Sequence, residues 1–139
     1  MTPTEETAKP IRIRVSSEAD LTHSLLECGK VWDRVSLDAV MRQKLCTAVS
    51  ELARNILKYA GSGEVVFSIL NRDGTPGVEV TVRDRGPGIE DLERALSDNY
   101  STSGTLGLGL PGVKRMMDEF KIESAPGQGT KVVIRKWKS

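Results

Sequence analysis

Aromatic side chains are scarce in this 139-residue chain: two Trp, two Tyr and two Phe, 4% of the sequence. So few rings offer no stacking platform for successive bases, which argues against one common mode of single-stranded nucleic-acid binding. A surplus of one charge is missing too. The 20 Lys and Arg against 19 Asp and Glu leave a net +1, whereas nucleic-acid-binding domains normally carry a basic excess. Cysteine is limited to Cys28 and Cys46, which make no disulfide framework and suit a reducing, cytoplasmic setting. No apolar run opens the chain, and none approaches the ~20 residues of a membrane span; neither a secretory leader nor a membrane contact is expected. What is present, 38% hydrophobic residues and 13 glycines, is the composition of a globular protein. The length suits a single domain, expected over residues 11–139, with the polar, proline-bearing residues 1–10 as a flexible N-terminus.

Ile11-Arg12-Ile13-Arg14-Val15 alternates apolar and charged residues, which predicts a half-buried strand. Ser16 and Ser17 offer N-caps to a helix in which Leu21, Leu25, Cys28 and Trp32 recur at helical spacing. Ser36 can cap a second, longer helix, whose stripe of Leu45, Val49, Leu52, Ala53, Ile56 and Ala60 ends at Gly61. The period then becomes two: Val65, Phe67 and Ile69, a turn cluster over Asn71–Gly77, and a return strand with Val78, Val80 and Val82. Ile89 to Leu96 suggests a short helix, and Asp98 to Gly109 a loop. Pro111 suits the first turn of a helix running to about Phe120. Lys121–Ser124 and Thr130–Trp137 form a closing hairpin, its cations Lys131, Arg135, Lys136 and Lys138 guarding an edge strand. The order β-α-α-β-β-α-loop-α-β-β brings strands in hairpins. It predicts an α+β fold: a two-layer sandwich of a mixed, mostly antiparallel sheet with helices on one face.

Three clusters carry chemistry. Glu51 and Asn55 stand four apart and share a helix face, away from the apolar stripe. That face reads either as solvated surface or as a ligand site, since Asn is a poor mid-helix residue unless its amide has a ligand such as a metal ion. Asp84 continues the inward row of Val78, Val80 and Val82 into Asp84-Arg85-Gly86-Pro87-Gly88. Its carboxylate either needs a dedicated donor, which a purine amine would supply, or caps a turn. Gly86 and Gly88 let backbone approach a flat ligand. Gly104-Thr105-Leu106-Gly107-Leu108-Gly109-Leu110-Pro111-Gly112 is a glycine-rich loop feeding a helix, an arrangement that suits phosphate. Gly107-x-Gly109-x-x-Gly112 fits the dinucleotide pattern only weakly, since no strand immediately precedes it and no βαβ unit surrounds it, and Walker A is absent.

Together these clusters resemble the GHKL ATPase superfamily with its Bergerat fold. Asn55 corresponds to the N box, Asp84-x-Gly86-x-Gly88 to the G1 box, Gly107–Gly112 to the G2 box, and Gly127-x-Gly129-Thr130 to the late Gly-Thr element. The stretches Ser50–Ile56, Tyr100–Gly104 and Gly109–Phe120 are most similar to anti-sigma-factor-type serine/threonine kinases, in particular the RsbT-like switch kinases of the stressosome. The resemblance implies ATP and Mg²⁺ as ligands, with Asn55 coordinating the metal and Asp84 accepting the adenine amine. It places Gly88 beside the base with Thr130 assisting through its hydroxyl or a water, and Gly86 with them among the nucleotide-binding residues. Gly104, Gly107, Leu108, Gly109 and Gly112 fall in the lid and phosphate cradle. Glu51 would be the general base. The implied partners are STAS-domain scaffold or antagonist proteins and an effector such as a PP2C-type phosphatase, with a homodimer left open.

Two other readings compete. A histidine-kinase fragment would need a phosphoacceptor, but His23 lies in Asp20-Leu21-Thr22-His23-Ser24-Leu25 with no acidic residue following it. A gyrase-type gate would need a transducer domain. The stronger rival is an anti-sigma-type binding module that sequesters a partner under nucleotide control, for which a base at Glu51 has no use.

Overall fold

The computed structural model describes residues 4–35, 38–97 and 109–138. Its first strand, β1 (Thr4–Glu6), pairs with the far end of β3 (Gly63–Arg72), Thr4 opposite Arg72. This corrects the expectation of a flexible terminus for Thr4–Glu6. Thr-Glu-Glu has no strand pattern of its own, and only the pairing with β3 makes it one. β2 (Ile11–Val15) pairs with the near end of the same edge, Val15 opposite Gly63. β3 continues into β4 (Thr75–Asp84), which pairs with β6 (Thr130–Trp137), and β5 (Glu119–Ser124) closes the far edge. Every ladder among the described residues is antiparallel.

That order overturns one inference. β6 lies inside the sheet, between β4 and β5, so its cations do not guard an edge. Lys136 ends the inward row and is 8% exposed, its ammonium 3.3 Å from Asp118. Arg135 faces outward and pairs with Glu79 at 2.8 Å. The β3–β4 turn is tighter than the Asn71–Gly77 cluster suggested. Asp73 and Gly74 take φ of 54° and 81°, a two-residue hairpin that Asn71 closes by accepting from the Gly74 N–H at 3.0 Å.

Helix α1 (Glu18–Asp33) starts as expected at Ser17, whose hydroxyl accepts from the Asp20 N–H at 3.2 Å. α2 (Ala39–Asn55) is capped by Asp38, which accepts from the Val40 and Met41 N–H groups; Ser36 lies outside the described residues. An aspartate there meets the helix N-terminus with charge as well as an acceptor. α3 (Leu92–Ala95) is one turn. α4 (Gly109–Met116) stops before Phe120, which belongs to β5. The strand's pairing with β6, Phe120 opposite Ile134, takes those residues from the helix. The helices cover one face of the sheet. Trp32, Leu45, Val49, Leu52 and Ile56 from α1, α2 and the turn after it meet Val65, Phe67, Val80 and Ile134 in one core. Burying each large apolar side chain contributes about 1.5–3 kcal/mol. The Trp32 indole N–H is satisfied by the Asp38 carbonyl at 3.1 Å. His23 is a helix-surface residue beside Glu27.

Candidate active site

Glu51 and Asn55 occupy the last two turns of α2, both half-buried. Their side chains make no hydrogen bond or ion pair with any described residue. Directly after Asn55 the helix widens into a π-helical turn, Ile56–Ala60, closed by the Gly61 N–H on the Ile56 carbonyl at 2.8 Å. Such turns are rare and often mark functional positions; the apolar stripe gave no sign of this one. The turn ties the end of α2 to the sheet. Ile56 packs on Gly63, where a Cβ would lie 2.9 Å from Ile56 Cγ2, and Ala60 packs on Gly86, where it would lie 2.7 Å from Ala60 Cβ.

Gly63 is the ladder partner of Asp84, and Thr130 is its partner on the other side. The end of α2, the end of β4 and the start of β6 therefore meet at one end of the sheet. Asp84 is half-buried, and Oδ1 accepts from the Gly86 N–H at 2.8 Å. Turn capping thus takes one carboxylate oxygen and leaves Oδ2 unpartnered among the described residues. Gly88 and Gly129 have φ of 78° and 75°. A Cβ would lie 2.0 Å from the Ala125 carbonyl oxygen at Gly88, and 2.2 Å from that of Asp84 at Gly129. Both positions are closed to any side chain on two counts, conformation and space.

Ser124 joins these loops and was not singled out by the sequence. Its hydroxyl receives the Ile89 N–H at 2.8 Å and lies 2.9 Å from both the Gly129 carbonyl and the Thr130 hydroxyl. Only the register that sets Ser124 opposite Thr130 reveals this role. A cleft of about 510 Å³ opens here, lined by Asp84, Arg85, Ser124, Gln128 and Thr130 among others. Glu51 and Asn55 do not line it. Gly109 begins α4 with φ of 64°, and Gly112 is buried within that helix. Gly104, Gly107 and Leu108, with Ser101–Ser103, lie outside the described residues. Lys114 and Arg115 are exposed on α4.

No cluster of three His, Cys, Asp or Glu able to hold a metal occurs among the described residues. Magnesium does not require one, since it is commonly held by one or two protein oxygens plus phosphates and water. The unpartnered Asn55 amide, with the Glu51 carboxylate one turn away, fits that donor chemistry. No described helix is long and apolar enough to cross a membrane.

Residues 41–138 match the family described as Histidine kinase-, DNA gyrase B-, and HSP90-like ATPase. The chain is 40% identical to the serine/threonine-protein kinase RsbT of Bacillus subtilis (strain 168), over 90% of this chain and 94% of that one. It is 32% identical to an anti-sigma F factor of Halalkalibacterium halodurans, over 86% of this chain and 92% of the relative. Among solved structures, the mycobacterial sensor histidine kinase MprB superposes with a TM-score of 0.54 at 22% identity, covering 94% of this chain and 97% of that one. This last likeness concerns the fold alone. The α+β architecture, the family match over most of the chain and the similarity to RsbT agree: the chain belongs to the histidine kinase-, DNA gyrase B- and HSP90-like ATPase family, among its RsbT-type serine/threonine-protein kinases.

Proposed function

We propose that residues 11–139 act as one kinase domain that transfers the γ-phosphoryl group of ATP to a serine or threonine of a STAS-domain partner. The observation that carries this reading is the pair Glu51 and Asn55, one helical turn apart and without protein partners, beside the junction that holds Asp84. Asp84 Oδ2 accepts the adenine amine, while Gly86, Gly88 and Thr130 shape the base end. Gly104, Gly107, Leu108, Gly109 and Gly112 supply backbone N–H groups to the phosphates. Asn55 holds Mg²⁺, which when bound neutralises charge on the phosphates. Glu51 takes the proton of the acceptor hydroxyl as its oxygen bonds to the γ-phosphorus. The bond from that phosphorus to the bridging oxygen breaks, and its electron pair leaves with ADP. Positioning and charge neutralisation dominate such transfers, and a base adds a further factor of roughly 10²–10⁴.

The partners are STAS-domain scaffold or antagonist proteins of a stressosome-like, cytoplasmic partner-switching system. On release the kinase contacts an effector such as a PP2C-type phosphatase. The anti-sigma F relatives favour a second reading, a nucleotide-controlled module that sequesters a partner without phosphotransfer. Glu51→Ala separates the two. The variant should bind ATP and partner as the parent does, yet lose transfer of labelled phosphate by at least about 10²-fold. Equal transfer by the variant would remove Glu51 from the mechanism. Binding without transfer in the parent would favour the module.

A further inference from the structure

We propose that Cys28 and Cys46 form a reversible oxidation site, in which a hydroperoxide closes a disulfide between α1 and α2. The two sulfurs are 3.1 Å apart across the helix–helix contact. A disulfide needs about 2.05 Å, so the sulfurs have ~1 Å left to close. The two thiols are unequally placed. Cys28 is fully buried on α1, and Cys46 is partly exposed on α2. A cation stands beside them. Arg42, one turn before Cys46, lies against Gly29, where a Cβ would sit 2.4 Å from its Nη2. Its Nε is held 2.9 Å from Asp33. Glycine next to Cys28 therefore makes the space in which the guanidinium rests.

These surroundings set the order of events. The hydrogen bond shared with Cys28 holds the Cys46 thiol below its ordinary pKa with help from Arg42, against burial and the charge of Asp33. The same hydrogen bond, and then burial, push Cys28 up. Cys46 is also the one of the two sulfurs that solvent reaches, and its thiolate is the nucleophile. Its sulfur attacks the peroxide, the S–O bond forms as O–O breaks, and the alcohol or water leaves with a proton. Cys28 sulfur then attacks the sulfenic sulfur. S–S forms, S–O breaks, and the departing hydroxide takes the Cys28 proton as water. Two thiols and one hydroperoxide become a disulfide, an alcohol and water. A dithiol reverses it with two electrons. Cys28 is already in contact, so capture outruns further oxidation of Cys46. The cross-link ties α1 to the helix that carries Glu51 and Asn55.

The test treats the reduced chain with hydrogen peroxide, alkylates it under denaturing conditions and reads intact mass and melting. The expected product is lighter by ~2 Da, takes no alkyl group, and yields one peptide pair joining Cys28 to Cys46. Its Tm rises by about 5–10 °C, and dithiothreitol restores both readings. Cys28→Ala should instead stop at a sulfenic acid on Cys46 that dimedone traps. Cys46→Ser should show no modification at the same dose, and Arg42→Gln should react several-fold more slowly. Two alkylated thiols, a parent chain heavier by ~16 or ~32 Da, or a disulfide between chains would each overturn the proposal, and these need no variant to fold.

Discussion

On the outer face of the sheet, charged groups have found one another; at the end of α2 they have not. Arg135 reaches Glu79 and Glu119 at 2.8 and 3.4 Å. Arg72 reaches Glu119 at 3.1 Å and the Thr4 hydroxyl at 2.7 Å, and its guanidinium lies over Trp137, 4.4 Å from the ring centre. The Trp137 indole donates to Glu119 and packs on Gly77, where a Cβ would lie 2.4 Å away. By contrast Glu51, Asn55 and Asp84 Oδ2 have no partner among the described residues. Polar groups that complete each other stabilise the fold. Groups left incomplete at a half-buried junction are available to something else. The two regions should therefore fail in opposite ways.

The largest expected effect is at Asn55. Asn55→Ala should lower phosphoryl transfer by about 10³-fold, because the loss falls on positioning and charge rather than on folding. It should leave Tm unchanged or slightly higher, since alanine is the better helix former by roughly 0.5 kcal/mol. Kinetics and a thermal melt on the same preparation check both halves. A variant that melts well below the parent would mean that Asn55 supports the fold, and the contrast would collapse.

Next in size is Trp137→Ala, the mirror experiment. It removes the packing on Gly77, the contact with Arg72 and the hydrogen bond to Glu119. A loss of about 2 kcal/mol follows, less than for a fully buried Trp, or roughly 4–8 °C in Tm. ATP affinity by calorimetry and transfer rate well below the new Tm should match the parent. If they fall with stability, the outer face and the site are coupled.

The same contrast explains what the sequence made legible. The placement of Asp84, Gly86 and Gly88 at the end of a strand could be read because strand alternation and turn chemistry are local. The common placement of Glu51 and Asn55 on α2 could be read because helix period sets their shared face. Ser124 could not, because its partners Ile89 and Thr130 come together only through the β5–β6 register. β1 was invisible for a similar reason, its strand character being supplied by Leu70–Arg72. The cations of β6 were misassigned to an edge because strand order is a tertiary fact. Neither Arg135 nor Lys136 announces in sequence that Glu79 and Asp118 await it.

The smallest effect concerns pH and sharpens the outer-face half of the comparison. Burial, the largest single influence on the Glu119 carboxyl, pushes its pKa up. The hydrogen bonds from Trp137 and Arg72, with the charges of Arg72 and Arg135, outweigh it and hold the group below its ordinary value of 4.5. Because the folded pKa is the lower one, Glu119 contributes stability that is fully present above 4.5 and is lost as pH falls through the folded value. The side chain is 39% exposed, so solvent screening keeps the contribution small. Between pH 6 and pH 3 the parent should therefore lose slightly more Tm than Glu119→Gln, with the two curves converging at the acid end. Salt should narrow the difference further. Parallel curves over the whole range would mean that the outer network stabilises by packing around Trp137 alone, and its ion pairs would then be as idle in folding as Glu51 and Asn55.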